Sequence, residues 1–154
     1  MSGPLAGFRI IDVTQMISGP MATGLLADQG ADVIKVEPPG TGDLTGALGG
    51  GQLRISPTFT VVNRNKRSVV LNLKEQRGLD LLKQLVAKAD LFVQNFRPGV
   101  VEHMGIGEAA LRAVKPDLVY VSISGFGEKG PYSHKRVYDP VIQGVSGLAF
   151  VQGG

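Results

Sequence analysis

The sequence predicts an α/β fold, a Rossmann-like parallel sheet with helices on both faces, and three observations carry that expectation. Short runs rich in β-branched residues alternate with longer amphipathic stretches along the chain. One run, Leu91-Phe-Val93, is apolar throughout, as befits a central strand covered on both faces. Strand and helix patterns follow one another singly, which calls for parallel strands joined by right-handed crossovers. With 154 residues, 43% of them hydrophobic and 19% charged, the chain has the length for one domain with its own core.

Residues 8–13 read as the first strand. A helix follows over residues 20–28, with Ser18 or Gly19 as its cap and Gly30 as its stop. Residues 32–36 form the second strand. Residues 38–57 show no secondary-structure signal, and the glycine-rich part, 40–51, reads as a mobile loop. The third strand covers 68–73. The helix after it, 74–88, starts on a capping-box-like pair, Asn72 and Glu75, and buries a stripe of Leu79, Leu82, Leu85, Val86 and Ala89. Strands over 91–96 and 118–123 flank a helix over 108–114, and a last helix begins near Asp139-Pro140, with Asp139 as N-cap.

Composition excludes several chemistries. The absence of cysteine rules out disulfides, thiolate metal sites and a cysteine nucleophile. His103 and His134 have no carboxylate or second histidine at metal spacing, so no metal is expected and both read as exposed and structural. No apolar run approaches the ~20 residues that span a bilayer, and Met1-Ser-Gly-Pro-Leu5 does not begin a secretory signal, so a cytoplasmic protein without a membrane partner is expected. After the first strand, Thr14-Gln-Met-Ile-Ser-Gly-Pro20 holds one glycine where a dinucleotide fingerprint needs three. Gly49-Gly-Gly51 opens no helix and no glycine-lysine-serine/threonine occurs, which excludes a P-loop. The net charge of +3 favours anionic small ligands at least as well as nucleic acid.

Four segments could carry chemistry. Leu91-Phe-Val-Gln-Asn-Phe-Arg-Pro-Gly99 ends a buried strand in a turn that presents Arg97, where open α/β sheets bind ligands; an ordinary surface arginine explains it equally well. Ser18-Gly19-Pro20 places backbone N–H groups at a helix start, for an anion or simply for capping. Asn63-Arg-Asn-Lys-Arg-Ser68 carries three cations in four positions, for ligand phosphates, for nucleic acid, or as a solvated loop. With six phenylalanines, three tyrosines and no RNA- or DNA-binding motif, nucleic acid is not expected as a partner. Finally, Gly125-Phe-Gly-Glu-Lys-Gly-Pro-Tyr132 leaves the fifth strand through turns, and Tyr138 lies before the last helix, where it could face a ligand.

Together these segments resemble the family III CoA-transferases, a group that includes formyl-CoA transferase, carnitine CoA-transferase and α-methylacyl-CoA racemase. The resemblance rests on Pro4-Leu5 and Gly7 before Ile11-Asp12, Gly19-Pro20, Gly30-Ala-Asp-Val-Ile-Lys-Val-Glu37 with Gly42-Asp43, and Asn65-Lys-Arg-Ser68. It continues through Asn95-Phe-Arg-Pro-Gly99, Gly125 and Gly127 with Gly130-Pro131, and Tyr138-Asp139 leading to Gln143 and Ser146-Gly147. It implies coenzyme A as substrate, an acyl-CoA and a carboxylic acid as partners, and the N-terminal, CoA-binding part of that family's larger domain over residues 1–154.

The positions that match the family's CoA contacts are Ile17, Ser18, Leu71, Asn72, Leu73, Lys74, Asn95, Phe96, Arg97, His103, Met104, Arg136 and Tyr138, with Arg97, Arg136 and Lys74 as phosphate candidates. The family moves its acyl group through an aspartate carboxylate. The resemblance places that aspartate beyond Gly154, as it does the smaller domain and the returning segment, so no catalytic residue is expected in this chain. The chain alone is expected to be inactive and self-associating, where full-length relatives form interlocked dimers. Three departures narrow the expectation. Ile17 replaces the glutamine of formyl-CoA transferase, which argues against oxalate or formate, and His103 replaces a frequent arginine. Tyr138 replaces the racemase histidine, and a phenol with a pKa of ~10 is a poor base, which favours transferase over racemase. A non-catalytic CoA- or nucleotide-binding module acting with a partner chain is the alternative, and nucleic-acid binding ranks below it.

Overall fold

The computed structural model describes residues 3–48 and 55–153. The Gly49-Gly-Gly51 run and the first two residues, both read from sequence above, lie outside the described residues. Five parallel strands, β1 (Arg9–Asp12), β2 (Asp32–Glu37), β3 (Arg67–Val70), β4 (Leu91–Gln94) and β5 (Val119–Ser122), form one sheet in the order β3-β2-β1-β4-β5. The expected parallel α/β sheet is therefore present; β2 runs one residue past its expected end, and the other four strands are shorter than their expected runs.

Alternation along the strands sends side chains to two different layers. Ile11, Ile34, Val36 and Phe92 point to one face, where α3 (Gln76–Val86), α4 (Val100–His103) and α5 (Glu108–Val114) cover them with Leu82, Val86, Val101 and Leu111. Ile10, Val33 and Val93 point to the other, against Ala27 of α1 (Ser18–Asp28). Leu82, Val86 and Ala89 of the expected stripe are buried, and Leu79 and Leu85 pack at its margin. Complete burial of a side chain such as Leu82 stabilises the fold by roughly 1.5–3 kcal/mol.

Local chemistry corrects several expected boundaries. Asn72 and Glu75 do pair, Nδ2 to Oε1 at 2.7 Å, but Asn72 Oδ1 accepts from Lys74 N–H and closes a turn, so α3 starts only at Gln76. Gly78 in the first turn of α3 is required by close approach: a Cβ there would fall 2.0 Å from the Asn72 carbonyl oxygen. Ile17, rather than Ser18 or Gly19, stands in the cap position of α1, and Tyr138 rather than Asp139 in that of α6 (Asp139–Ser146). The segment read as a mobile loop is partly packed where it is described. Residues Leu44–Ala47 form a 3₁₀ turn capped by Asp43, and Asp43 and Thr45 are buried. A short helix, α2 (Pro57–Asn63), follows with Ser56 as its cap, Oγ accepting from Phe59 N–H at 3.0 Å. A last helix, α7 (Leu148–Gly153), follows α6, and neither contains a buried residue.

Candidate functional site

β1 and β4 are neighbours whose chains leave in opposite directions, β1 towards α1 on one face and β4 towards α4 on the other. Open α/β sheets bind ligands in the crevice that such a reversal leaves at the carboxyl ends of the strands. Here Asn95 spans it. Its Oδ1 accepts from Gln15 N–H at 2.9 Å and its Nδ2 donates to the Gln15 carbonyl at 2.7 Å. The side chain thus prolongs the ladder in which Val13 N–H donates to the Val93 carbonyl at 3.0 Å.

Beside this bridge lies a cleft of about 670 Å³. Val13, Val36, Leu71, Leu73, Leu79, Phe96 and Met104 supply its apolar lining, and Gln15, Glu37, Asn72, Lys74, Glu102 and His103 its polar lining. Such a mixture of apolar walls with a few polar groups is the usual composition of a small-molecule site. The strand-end turns put these residues there: Leu71 N–H donates to the Glu37 carbonyl at 3.0 Å, which keeps the β3–α3 turn against the end of β2.

Of the residues singled out from sequence, Leu71, Asn72, Leu73, Lys74, Phe96, His103 and Met104 line the cleft. His103, also read as merely exposed and structural, is exposed yet contributes to this lining. Asn95 lies at the cleft's edge with its amide engaged by Gln15. Ile17 and Ser18 sit exposed at the start of α1, and Arg97 is exposed in the β4–α4 turn. Arg136 and Tyr138 are exposed just before α6 and do not line the cleft, Tyr138 at 68%.

In the basic run 63–68 each cation meets a carboxylate of this chain, while Arg64 and Arg67 stay exposed, as the solvated-loop reading expects. Arg64 pairs with Asp28, and Asn65 donates to the same carboxylate at 2.8 Å. Arg67 pairs with Asp32 at 2.7 Å. Lys66, its side chain 2% exposed, reaches inward to Asp12 Oδ2 at 3.0 Å, the Pro20 carbonyl at 2.7 Å and Asn63 Oδ1 at 2.9 Å.

Lys66 is part of a buried polar frame under the β1–α1 turn that sequence reading missed. Asp12 accepts from Thr14 N–H at 2.9 Å and from the hydroxyls of Thr14 and Thr23. Lys35 Nζ donates to the Thr14 carbonyl at 2.8 Å and stands 2.7 Å from Asp43 Oδ2, an ion pair by distance rather than a directed hydrogen bond. Asp43 Oδ1 accepts from Thr45 N–H at 2.9 Å and from Met16 N–H at 3.3 Å. Gly19 lets α1 close over the frame, since a Cβ would come within 2.3 Å of Thr14 Cβ. Burial pushes the Asp12 carboxyl up, but Lys35, Lys66 and the two hydroxyls outweigh it and hold it below its ordinary value. Burial also holds Lys66 below the usual lysine range, against the pull of Asp12. A signal for this frame was available: Asp12 and Lys35 each stand between apolar residues inside a strand pattern.

Among the described residues no group of three or more His, Asp or Glu side chains converges as a metal site, and no helix is long and apolar enough to cross a membrane.

The fold places the chain among doubly wound α/β proteins, with a cleft beside the switch point. Residues 5–154 match CoA-transferase family III, and the chain belongs to that family. It is 44% identical over 151 residues to succinyl-CoA:glutarate CoA-transferase of Mus musculus, covering 97% of this chain and 35% of the relative. It is 42% identical over 151 residues to acetyl-CoA:oxalate CoA-transferase of Acetobacter aceti, covering 98% of this chain and 39% of the relative. A crystal structure of a CAIB/BAIF family protein from Brucella suis matches with a TM-score of 0.90 at 37% identity, over 96% of this chain and 40% of that one. The chain thus spans less than half the length of these relatives.

Proposed function

We propose that the cleft binds coenzyme A and serves an enzyme that moves CoA between an acyl-CoA thioester and a carboxylic acid through an aspartyl intermediate, with this chain supplying the CoA-binding part and not the aspartate. The observation that supports this reading is the lining itself, in a chain of this family: Leu71, Leu73, Leu79, Phe96 and Met104 offer an apolar slot for an adenine, and Lys74 an ammonium for a phosphate, with His103 as a further polar contact. Arg97 and Arg136, outside the cleft, are proposed as phosphate contacts at its margin, with Tyr138 beside them. Ile17 and Ser18 would meet the thioester end at the start of α1. In the net reaction the donor's acyl C–S bond breaks and a C–S bond forms at the acceptor's carboxyl carbon. One acceptor carboxylate oxygen leaves with the donor acyl group as its free acid anion.

Self-association is proposed as well, because α6 and α7 leave Val145, Phe150 and Val151 exposed at 66%, 85% and 79%; light scattering that finds only a monomer would count against it.

The direct test of ligand identity is calorimetric titration with CoA and with 3′-dephospho-CoA. Saturable binding that weakens without the 3′-phosphate supports the reading, and no binding of CoA by the folded protein overturns it.

A further inference from the structure

We propose that Gln15 is a binding residue of this cleft, its carboxamide hydrogen-bonding an amide of the pantetheine arm; the inference rests on the reading of the cleft as a CoA site. The main chain at this position is held from both sides. Asn95 takes both the N–H and the carbonyl of Gln15, Lys35 takes the carbonyl of Thr14, and Asp43 takes the N–H of Met16. Met16 is fixed at φ 69°, a left-handed conformation that a side-chain-bearing residue adopts only when its surroundings enforce it. All of this constraint falls on backbone. Gln15 lines the cleft, and its side chain has no hydrogen-bond partner among the described residues.

The chemistry of the surroundings selects which part of the ligand it meets. Glu37 ends β2, the strand paired with β1, and lines the same cleft, so a phosphate placed beside Gln15 would be repelled by that carboxylate. Lys74, the phosphate candidate that lines the cleft, belongs to the β3–α3 turn, which puts it on another element. A neutral ligand segment is the one compatible with Gln15. A carboxamide offers donors and an acceptor together, and the amides of a pantetheine arm present the complementary pair.

The test is titration of the wild-type chain and of Gln15→Leu with CoA and with 3′,5′-ADP, which keeps the base and two phosphates but has no arm. Leucine preserves bulk, and the backbone bonds of residue 15 do not depend on its side chain, so the thermal midpoint should stay unchanged. The expected result is CoA binding weakened about tenfold, with 3′,5′-ADP binding unaltered. Equal affinity of wild type and Gln15→Leu for CoA overturns this inference alone, as does an equal loss for both ligands. A wild-type protein that binds neither ligand overturns the CoA reading itself and this inference with it.

Discussion

The basic run 63–68 and the cleft lysine Lys74 are both cationic, yet the structure uses them in opposite ways. In the run, Arg64, Lys66 and Arg67 each meet a carboxylate that lies 35 to 54 residues away in sequence, and together they tie α1, β1, β2 and β3 to one another. Lys74 makes no ion pair among the described residues and lines the cleft. Density of positive charge along a sequence is therefore a poor guide to charge offered to a ligand. What decides is whether folding brings an internal carboxylate within reach.

The sharpest way to break this contrast is to remove Lys66. Lys66→Met removes the ammonium bonded directly to the buried Asp12 and leaves Lys35 as its remaining cation, so a loss towards the lower end of about 3–5 kcal/mol is expected in denaturant unfolding. Next is Gly78→Ala, where the new methyl must displace the Asn72 carbonyl; about 1–3 kcal/mol should be lost, and CoA binding should weaken because the turn carrying Lys74 shifts. Lys74→Ala is expected to leave stability within about 0.5 kcal/mol of wild type while weakening CoA binding by about tenfold in calorimetry. Arg64→Ala and Arg67→Ala should each cost about 0–1 kcal/mol, as exposed pairs do, and leave binding unchanged.

Acid titration adds a signed test of the buried frame. Asp12 is held below its ordinary 3.8, so the unfolded chain takes up the proton first as pH falls. Its contribution is complete above about 3.8 and is lost as pH drops through the lower folded value. Denaturant midpoints followed across that window should fall in the wild type and fall less in Asp12→Asn.

The sheet and its main helices were legible because their signals are local. The 108–114 helix appears with the boundaries its sequence predicts, and the strands centre on the expected runs. The ends were less legible, since Asn72 and Glu75 carry the residues of a capping box but close a turn instead, Asn72 Oδ1 accepting from Lys74 N–H. The seven-residue α2 was not read from the sequence, although Ser56-Pro57 supplies its cap and first residue. The cleft residues Leu71 to Lys74, Phe96, His103 and Met104 were found through the family resemblance. Gln15 was missed because nothing in its own neighbourhood marks it: its place depends on Asn95, Lys35 and Asp43, which only the folded sheet assembles.

The most direct test of the central claim is calorimetric titration of CoA into Lys74→Ala, Arg64→Ala and Arg67→Ala side by side at one ionic strength. The account predicts that Lys74→Ala alone weakens binding, while the two arginine variants bind as wild type does. Equal weakening in the arginine variants, with Lys74→Ala unaffected, would place the phosphates on the basic run and contradict the assignment of the cleft.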